Sequence, residues 1–179
     1  LHNNAASKGS SLKEFLQDFE NYSYDTWKEV MSINVDSMFL MAKECGKYMI
    51  KQRSGSIIQT ASIYGVVAPD QRIYENSFYN GEKISSPAVY STSKAAVIGL
   101  SQFLSSYWGH YNIRVNTLTP GGIESGQNQE FIQRYSNRVP LNRMGEASDL
   151  VGALIYLASD ASKYISGQNI IVDGGLSVW

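Results

Sequence analysis

Tyr90 and Lys94 lie four residues apart in the stretch AVYSTSKAAVIGL (residues 88–100), with only small polar residues between them. On a helix, positions i and i+4 share a face, with side chains about 5–6 Å apart, so a phenol and an ammonium would meet. A tyrosine is a poor base at neutral pH because its ordinary pKa is near ~10. A cation one turn away favours the phenolate and lowers that value. A second hydroxyl, that of Ser62, could hydrogen-bond a substrate oxygen and hold it against the phenol. Together these groups suit proton transfer to or from an alcohol or carbonyl oxygen. Such a reaction also needs a hydride carrier, which no side chain provides. Taken alone, Y-x-x-x-K reads equally as an aromatic–cation pair at an ordinary helix start.

The elements that must position these groups are visible in the periodicity. Residues 11–52 carry mostly helical spacing, with Asp25 the expected N-cap before Trp27. Val30, Met31, Asn34, Met38 and Met41 are spaced for one helix face. SGSIIQTAS (54–62) has a glycine breaker and then a β-branched run, which predicts a buried strand. Residues 66–89 break every simple period, and a loop of that length in a compact domain is usually functional or disordered. A helix is expected from about Ala88 to Tyr107, then a strand in IRVNTLTP ending at Pro120, then a loop, PGGIESG. Helical segments near 127–138 and 146–158 precede a last strand, QNIIVD, closed by a Gly-Gly turn. This order argues for an α/β chain with a parallel sheet and crossover helices. Ligands of such sheets bind beyond the carboxyl ends of the strands. Ser62, Pro120 and Gly121 all follow strand ends, so one sheet edge would collect a hydroxyl, a glycine-containing loop and the Tyr90/Lys94 pair.

Composition closes off other classes. The 179 residues suffice for one domain with a sizeable core. The balance of 43% hydrophobic and 17% charged residues is that of a globular protein. A formal net charge of −1 leaves no electrostatic footprint for nucleic acid or an anionic membrane. No apolar run approaches the ~20 residues of a membrane span. Cys45 is the sole cysteine, so an internal disulfide is impossible, and a packing role in its helix is expected. His2 and His110 lack metal-ligand spacing, so no metal is expected. No signal segment is visible, and a cytoplasmic location is the expectation.

Several short motifs then occur in order: NNAA (3–6), INV (33–35), GSIIQTASIYG (55–65), YSTSKAAVIGL (90–100), IRVNTLTPGGI (113–123) and GQNIIVDGG (167–175). Each is weak, but the combination resembles the short-chain dehydrogenase/reductase family over essentially the whole chain. The resemblance implies a Rossmann-like, doubly wound parallel sheet in a single domain, 1–179, and a cofactor, NAD or NADP. It assigns Tyr90 as general acid/base and Lys94 to lowering its pKa and holding the nicotinamide ribose. Ser62 would orient the substrate oxygen, and Asn34 would position a water on the proton relay. Asn3 and Ala5 would lie along the adenosine half of the cofactor. Pro120, Gly121 and Ile123 would line the nicotinamide, and Ser125 would reach the carboxamide or phosphate region. Asn116 and the DGG turn (173–175) are expected to be structural. Asn34 taken alone reads better as a cap or kink of its helix.

Two departures from the family stand out. No T-G-x-x-x-G-x-G stretch, the loop that receives a pyrophosphate, is present in the sequence. Ala6 replaces the last glycine of N-N-A-G, and Ser125 stands in the threonine position of P-G-x-x-x-T. An N-terminally truncated chain with the catalytic half of a site is therefore expected, inactive on its own. The second departure is the long separation of Ser62 from Tyr90, which predicts a substrate-loop insertion over 66–89 carrying Arg72, Tyr74, Glu75, Phe78, Tyr79 and Lys83. Its aromatics and charges suit a polyhydroxylated or phosphorylated substrate such as a sugar derivative, or read equally as a loop packed on its own chain. SIYGVVAPD and IYE also resemble reductases of bacterial surface-sugar and flagellin-glycan biosynthesis. The implied activity is an NAD(P)-dependent oxidoreductase interconverting an alcohol and a ketone. The alternative is a non-catalytic binding or scaffold fragment on the same fold. The resemblance also implies a homodimer or homotetramer, paired through the helices that follow residues 27 and 90, which offer Met38, Met41, Phe103 and Trp108, and through the final strand.

Overall fold

The two β-branched runs form the middle of a parallel sheet. In the computed structural model, which describes residues 1–79 and 81–179, the chain runs β1 (His2–Asn3), α1 (Leu12–Phe15), α2 (Tyr24–Met31), α3 (Ser37–Gln52) and β2 (Gly55–Thr60). It continues through β3 (Phe78–Tyr79), β4 (Glu82–Lys83), α4 (Ala88–Trp108), β5 (Ile113–Pro120), α5 (Gln129–Ser136), α6 (Val151–Ala158) and β6 (Asn169–Val172). The main sheet has the order β1-β2-β5-β6, parallel throughout, with Asn3 opposite Gln59, Thr60 opposite Leu118 and Leu118 opposite Ile170.

Alternation along the strands splits the core between two layers. Ile57 and Val115 pack under α3 and α4 with Ala42, Leu104 and Trp108. Ile58 and Leu118 face the other way, onto Leu157 of α6. Both faces of the sheet are thus covered, which is why the strands read as near-continuous apolar runs. The expected α/β, doubly wound architecture is what the chain adopts. Asn116 ties the sheet to its surroundings as expected, donating to the Ile165 carbonyl and accepting from the Gln168 N–H.

Several local expectations need correction. Ser23, not Asp25, caps α2: its hydroxyl accepts the Asp25 N–H, one of the free donors of the first turn. Asp25 sits inside that turn and pairs with Lys28 at 2.8 Å. Residues 32–36 form a π turn between α2 and α3. Beyond it the inward stripe runs Asn34, Met38, Ala42, Gly46, at four-residue steps, so Met41 falls off the stripe and is 49% exposed. Cys45 is only half-buried. Met38 and Trp108 belong to the core rather than to an outer face. Segment 66–89 is not structureless: it holds a short 3-10 turn at Gln71–Tyr74 and the β3–β4 hairpin.

Candidate active site

Because all four strands are parallel, their carboxyl ends share one edge of the sheet, and a cleft of about 550 Å³ opens there. Ser62 follows β2 in extended backbone and opens a single 3-10 turn, Ile63–Gly65. Its Oγ accepts the Tyr64 N–H at 3.3 Å. Tyr90 lies in the first turn of α4 and Lys94 one turn on, and both line the cleft with Ser62. The spacing argument holds for proximity, with the Lys94 ammonium 5.9 Å from the centre of the Tyr90 ring, but the lowering of the phenol's pKa expected from that cation is not found, because burial raises it.

Gly65 sets the distance between the two halves of this group. A Cβ at that position would meet the backbone carbonyl carbon of Lys94 at 2.7 Å. Only a residue without a side chain lets the turn after Ser62 press against α4. Pro120 at the end of β5 and Gly121, Ile123 and Ser125 just beyond it also line the cleft. Their loop is clamped from outside: Glu124 N–H donates to the Gly145 carbonyl, and Gly145 N–H to that of Gly122. Gly122 in turn donates its N–H to the Tyr135 phenol, whose ring sits where a Cβ would be.

Electrostatics of the group are set by burial. Lys94 is 4% exposed and donates to the Thr60 carbonyl at 3.1 Å. Removal from water lowers its pKa to about 8. One hydrogen bond leaves two of its three donors for a ligand. Burial pushes the Tyr90 phenol above its ordinary value, while the Ser62 hydroxyl beside it pulls the other way. Phenol and hydroxyl can therefore donate to, or accept from, one oxygen placed between them.

Other expected site residues sit elsewhere. Asn34 is fully buried and spends its amide on Ser7, accepting the Ser7 N–H at 2.7 Å and donating to its carbonyl at 3.2 Å. It pins the segment leaving β1 and does not line the cleft. Asn3 turns its amide into the core, donating to the Gln59 side chain and the Met38 carbonyl. Ala5 is exposed outside the cleft, whereas Asn4 and Ala6 line it. The alternation of an extended chain explains this: neighbours point to opposite sides.

From segment 66–89, Tyr74 and Tyr79 reach the cleft. Arg72 instead grips Asp70 through two hydrogen bonds, and Phe78 is exposed. Tyr74 packs on Phe131 of α5 and donates to the Tyr64 hydroxyl at 3.2 Å. Tyr64, Tyr135, Gln127 and Lys8 line the cleft without having been singled out in the sequence. Only Tyr64 carried a signal there, two residues after Ser62.

With this geometry in view, the family model described as "Enoyl-(Acyl carrier protein) reductase" matches residues 1–177. The chain is 36% identical over 153 residues to the post-translational flagellin modification protein A of Campylobacter coli, covering 86% of this chain and 58% of that one. It is similar to a short chain dehydrogenase from Leptospira borgpetersenii with bound NAD+, at 34% identity and a TM-score of 0.83, over 98% of this chain and 63% of the other. A gluconate 5-dehydrogenase from Burkholderia cenocepacia, in complex with NADP and tartrate, gives 29% identity and a TM-score of 0.82, over 99% and 64%. The chain spans about three-fifths of the length of the relatives it matches.

Proposed function

The chain belongs to the short-chain dehydrogenase/reductase family, and from that premise we propose that its protein is an NAD(P)-dependent oxidoreductase interconverting a secondary alcohol and a ketone. The observation carrying this reading is the meeting of Ser62, Tyr90 and Lys94 in one cleft at the carboxyl edge of a parallel sheet.

The cleft residues fit the nicotinamide half of such a cofactor. Lys94 has two donors to spare for a ribose diol, and small residues, Ala6, Pro120 and Gly121, leave room for a flat ring. When bound, the dinucleotide supplies or accepts the hydride. The protein's own part is the proton. Tyr90, kept protonated by burial, donates it to the carbonyl oxygen in reduction. In oxidation the phenolate takes it back, favoured by the Lys94 charge. Ser62 fixes the substrate oxygen at the phenol. Asn34 acts through Ser7, holding the cleft wall that carries Ala6 and Lys8.

Segment 66–89 supplies the substrate wall through Tyr74 and Tyr79, whose faces and hydroxyls suit a polyhydroxylated compound. The gluconate 5-dehydrogenase among its structural relatives supports a sugar-derived substrate. The 179 residues alone contain no glycine-rich phosphate loop, so in isolation they are expected to bind NADH weakly and to be inactive. A fluorescence titration giving micromolar affinity would contradict that. The reaction itself is tested on the full-length protein by following nicotinamide absorbance with a panel of polyols, sugar acids and simple secondary alcohols. Reduction of NAD+ or NADP+ by at least one of them is expected, and none turned over would overturn the proposal.

A further inference from the structure

Lys8 stands at the mouth of the cleft, five residues beyond the end of β1. Its ammonium lies 4.2 Å from the centre of the Tyr79 ring, on the hairpin of segment 66–89. A ring face orders a cation without neutralising it, as a carboxylate would. Among the described residues Lys8 has no ion-pair partner. The same holds for the whole cleft: Lys8 and Lys94 are the charged side chains lining it, and no described Asp or Glu does. Lys94 lies buried at the floor, bonded to Thr60, beside the reacting phenol. Lys8 is exposed and free at the rim. Two cations and no anion between largely apolar walls focus positive potential into the cleft.

We propose that Lys8, propped on Tyr79, is a specificity-determining residue that binds a carboxylate of the substrate, so that the natural substrate is an acid of the sugar or polyol class rather than a neutral one. This rests on the oxidoreductase reading for the reaction but not for the binding. The substrate's reacting oxygen lies at Ser62 and Tyr90, and its acid group reaches outward to the rim, where the hydroxyls of Tyr64 and Tyr74 meet the intervening polyol chain. A charge-assisted hydrogen bond is stronger than a neutral one, so the acid is selected over the alcohol of equal length.

The test uses the full-length protein with D-gluconate and D-glucitol, six-carbon compounds differing in one terminal carboxylate. Binding of each to the complex with dinucleotide is measured by saturation-transfer NMR, and KM wherever turnover occurs. Gluconate should bind more tightly than glucitol, and Lys8→Met should weaken it by about tenfold or more, the worth of one charge-assisted hydrogen bond. Glucitol binding should not change, and Lys8→Arg should restore gluconate. Equal wild-type binding of the two compounds would overturn the inference. So would equal losses for both in Lys8→Met, which would mark a structural role, or a rise confined to the dinucleotide KM, which would place a cofactor phosphate there. If neither compound is turned over, the oxidoreductase reading is in question for this class, while the NMR comparison still decides the role of Lys8.

Discussion

At the scale of single residues, three hydroxyl and ammonium groups divide the proposed proton chemistry, and their variants should fail differently. Tyr90→Phe keeps the ring that packs beside Lys94 and loses only the proton carrier, so turnover should vanish while cofactor affinity stays near wild type. Ser62→Ala should lower kcat with little effect on the cofactor. Lys94→Ala should harm both, because its ammonium faces the phenol and has donors to spare. Acid–base catalysis is worth roughly 10²–10⁴-fold, so steady-state rates and NAD(P)H titrations on the three variants will resolve the roles. A Tyr90→Phe enzyme at most of the wild-type rate would leave the pair an ordinary packing contact. Lys94 also carries a stability signature. Its pKa is lowered from 10.5 to about 8 by burial. Below about pH 8 both folded and unfolded chains hold its proton. Between those values the unfolded chain binds the proton and the folded one does not, so stability rises with pH there. Buried tyrosines oppose this at higher pH: Tyr64, Tyr74 and Tyr135 are all raised above 10.0, so the folded state retains protons the unfolded chain gives up. Urea midpoints should therefore climb above pH 8 and fall again beyond about pH 10. Lys94→Met should remove the climb and keep the fall. A wild-type midpoint flat from pH 8 to 10 would contradict the assignment.

At the scale of elements, the site depends on how closely the Ser62 turn seats on α4. Gly65 is the contact, with its absent Cβ 2.7 Å from Lys94 backbone. Helix backbone cannot yield as a flexible side chain can. Gly65→Ala should cost about 1–3 kcal/mol in stability, the usual range for overpacking. It should also reduce kcat by more than the stability loss explains, because the turn that must move is the one carrying Ser62. Thermal melts beside kinetics below the melting range will separate the two, and an unchanged kcat would mean that the turn shifts without moving the hydroxyl. The π turn at 32–36 works similarly at the other wall. It carries Asn34 on its buried side, where both ends of the amide hold Ser7. Such turns recur at functional sites because they re-aim one side chain without ending the helix.

At the scale of the whole molecule, α3 and α4 present an outer face that the chain itself does not cover. Phe39, Leu40 and Met41 on α3, and Phe103 and Tyr107 on α4, are about half exposed or more. Exposed large apolar side chains gathered on two helices are what an association surface would use. A homodimer or homotetramer is expected for the full-length protein, as the sequence already suggested, but with a different set of residues. Met38 and Trp108 hold the core, so Phe103→Glu is the variant that should shift light scattering towards monomer without unfolding. A wild-type monomer at low micromolar concentration would contradict this. Among the described residues no helix is long and apolar enough to cross a membrane.

The strands β2, β5 and β6, the helix α4, the parallel sheet, the Tyr90/Lys94 face and the position of Ser62 were legible in the sequence, whereas β1 and the β3–β4 hairpin were not. Each legible feature rests on a local rule, whether the period of apolar residues, the i,i+4 neighbourhood or the strand end that opens a loop. Pro120 and Gly121 were legible as the end of a parallel strand, which has one edge to occupy, whereas Ile123 and Ser125 were expected at the cleft only from the family resemblance. What the chain order could not specify is which way a side chain turns when several elements compete for it. Asn3 and Asn4 are adjacent and chemically identical, yet only the sheet pairing of β1 with β2 sends Asn3 to Gln59 and leaves Asn4 at the cleft. Asn34 was expected at the site from the family resemblance, and its buried bonds to a segment 27 residues away show what it holds. Lys8 and Tyr79 lie far apart in sequence and meet only because the hairpin of 66–89 folds back over the exit of β1. Local periodicity determined the scaffold and the shared helix face of Tyr90 and Lys94. The tertiary structure determined the walls of the cleft, and with them the charge that a substrate would meet.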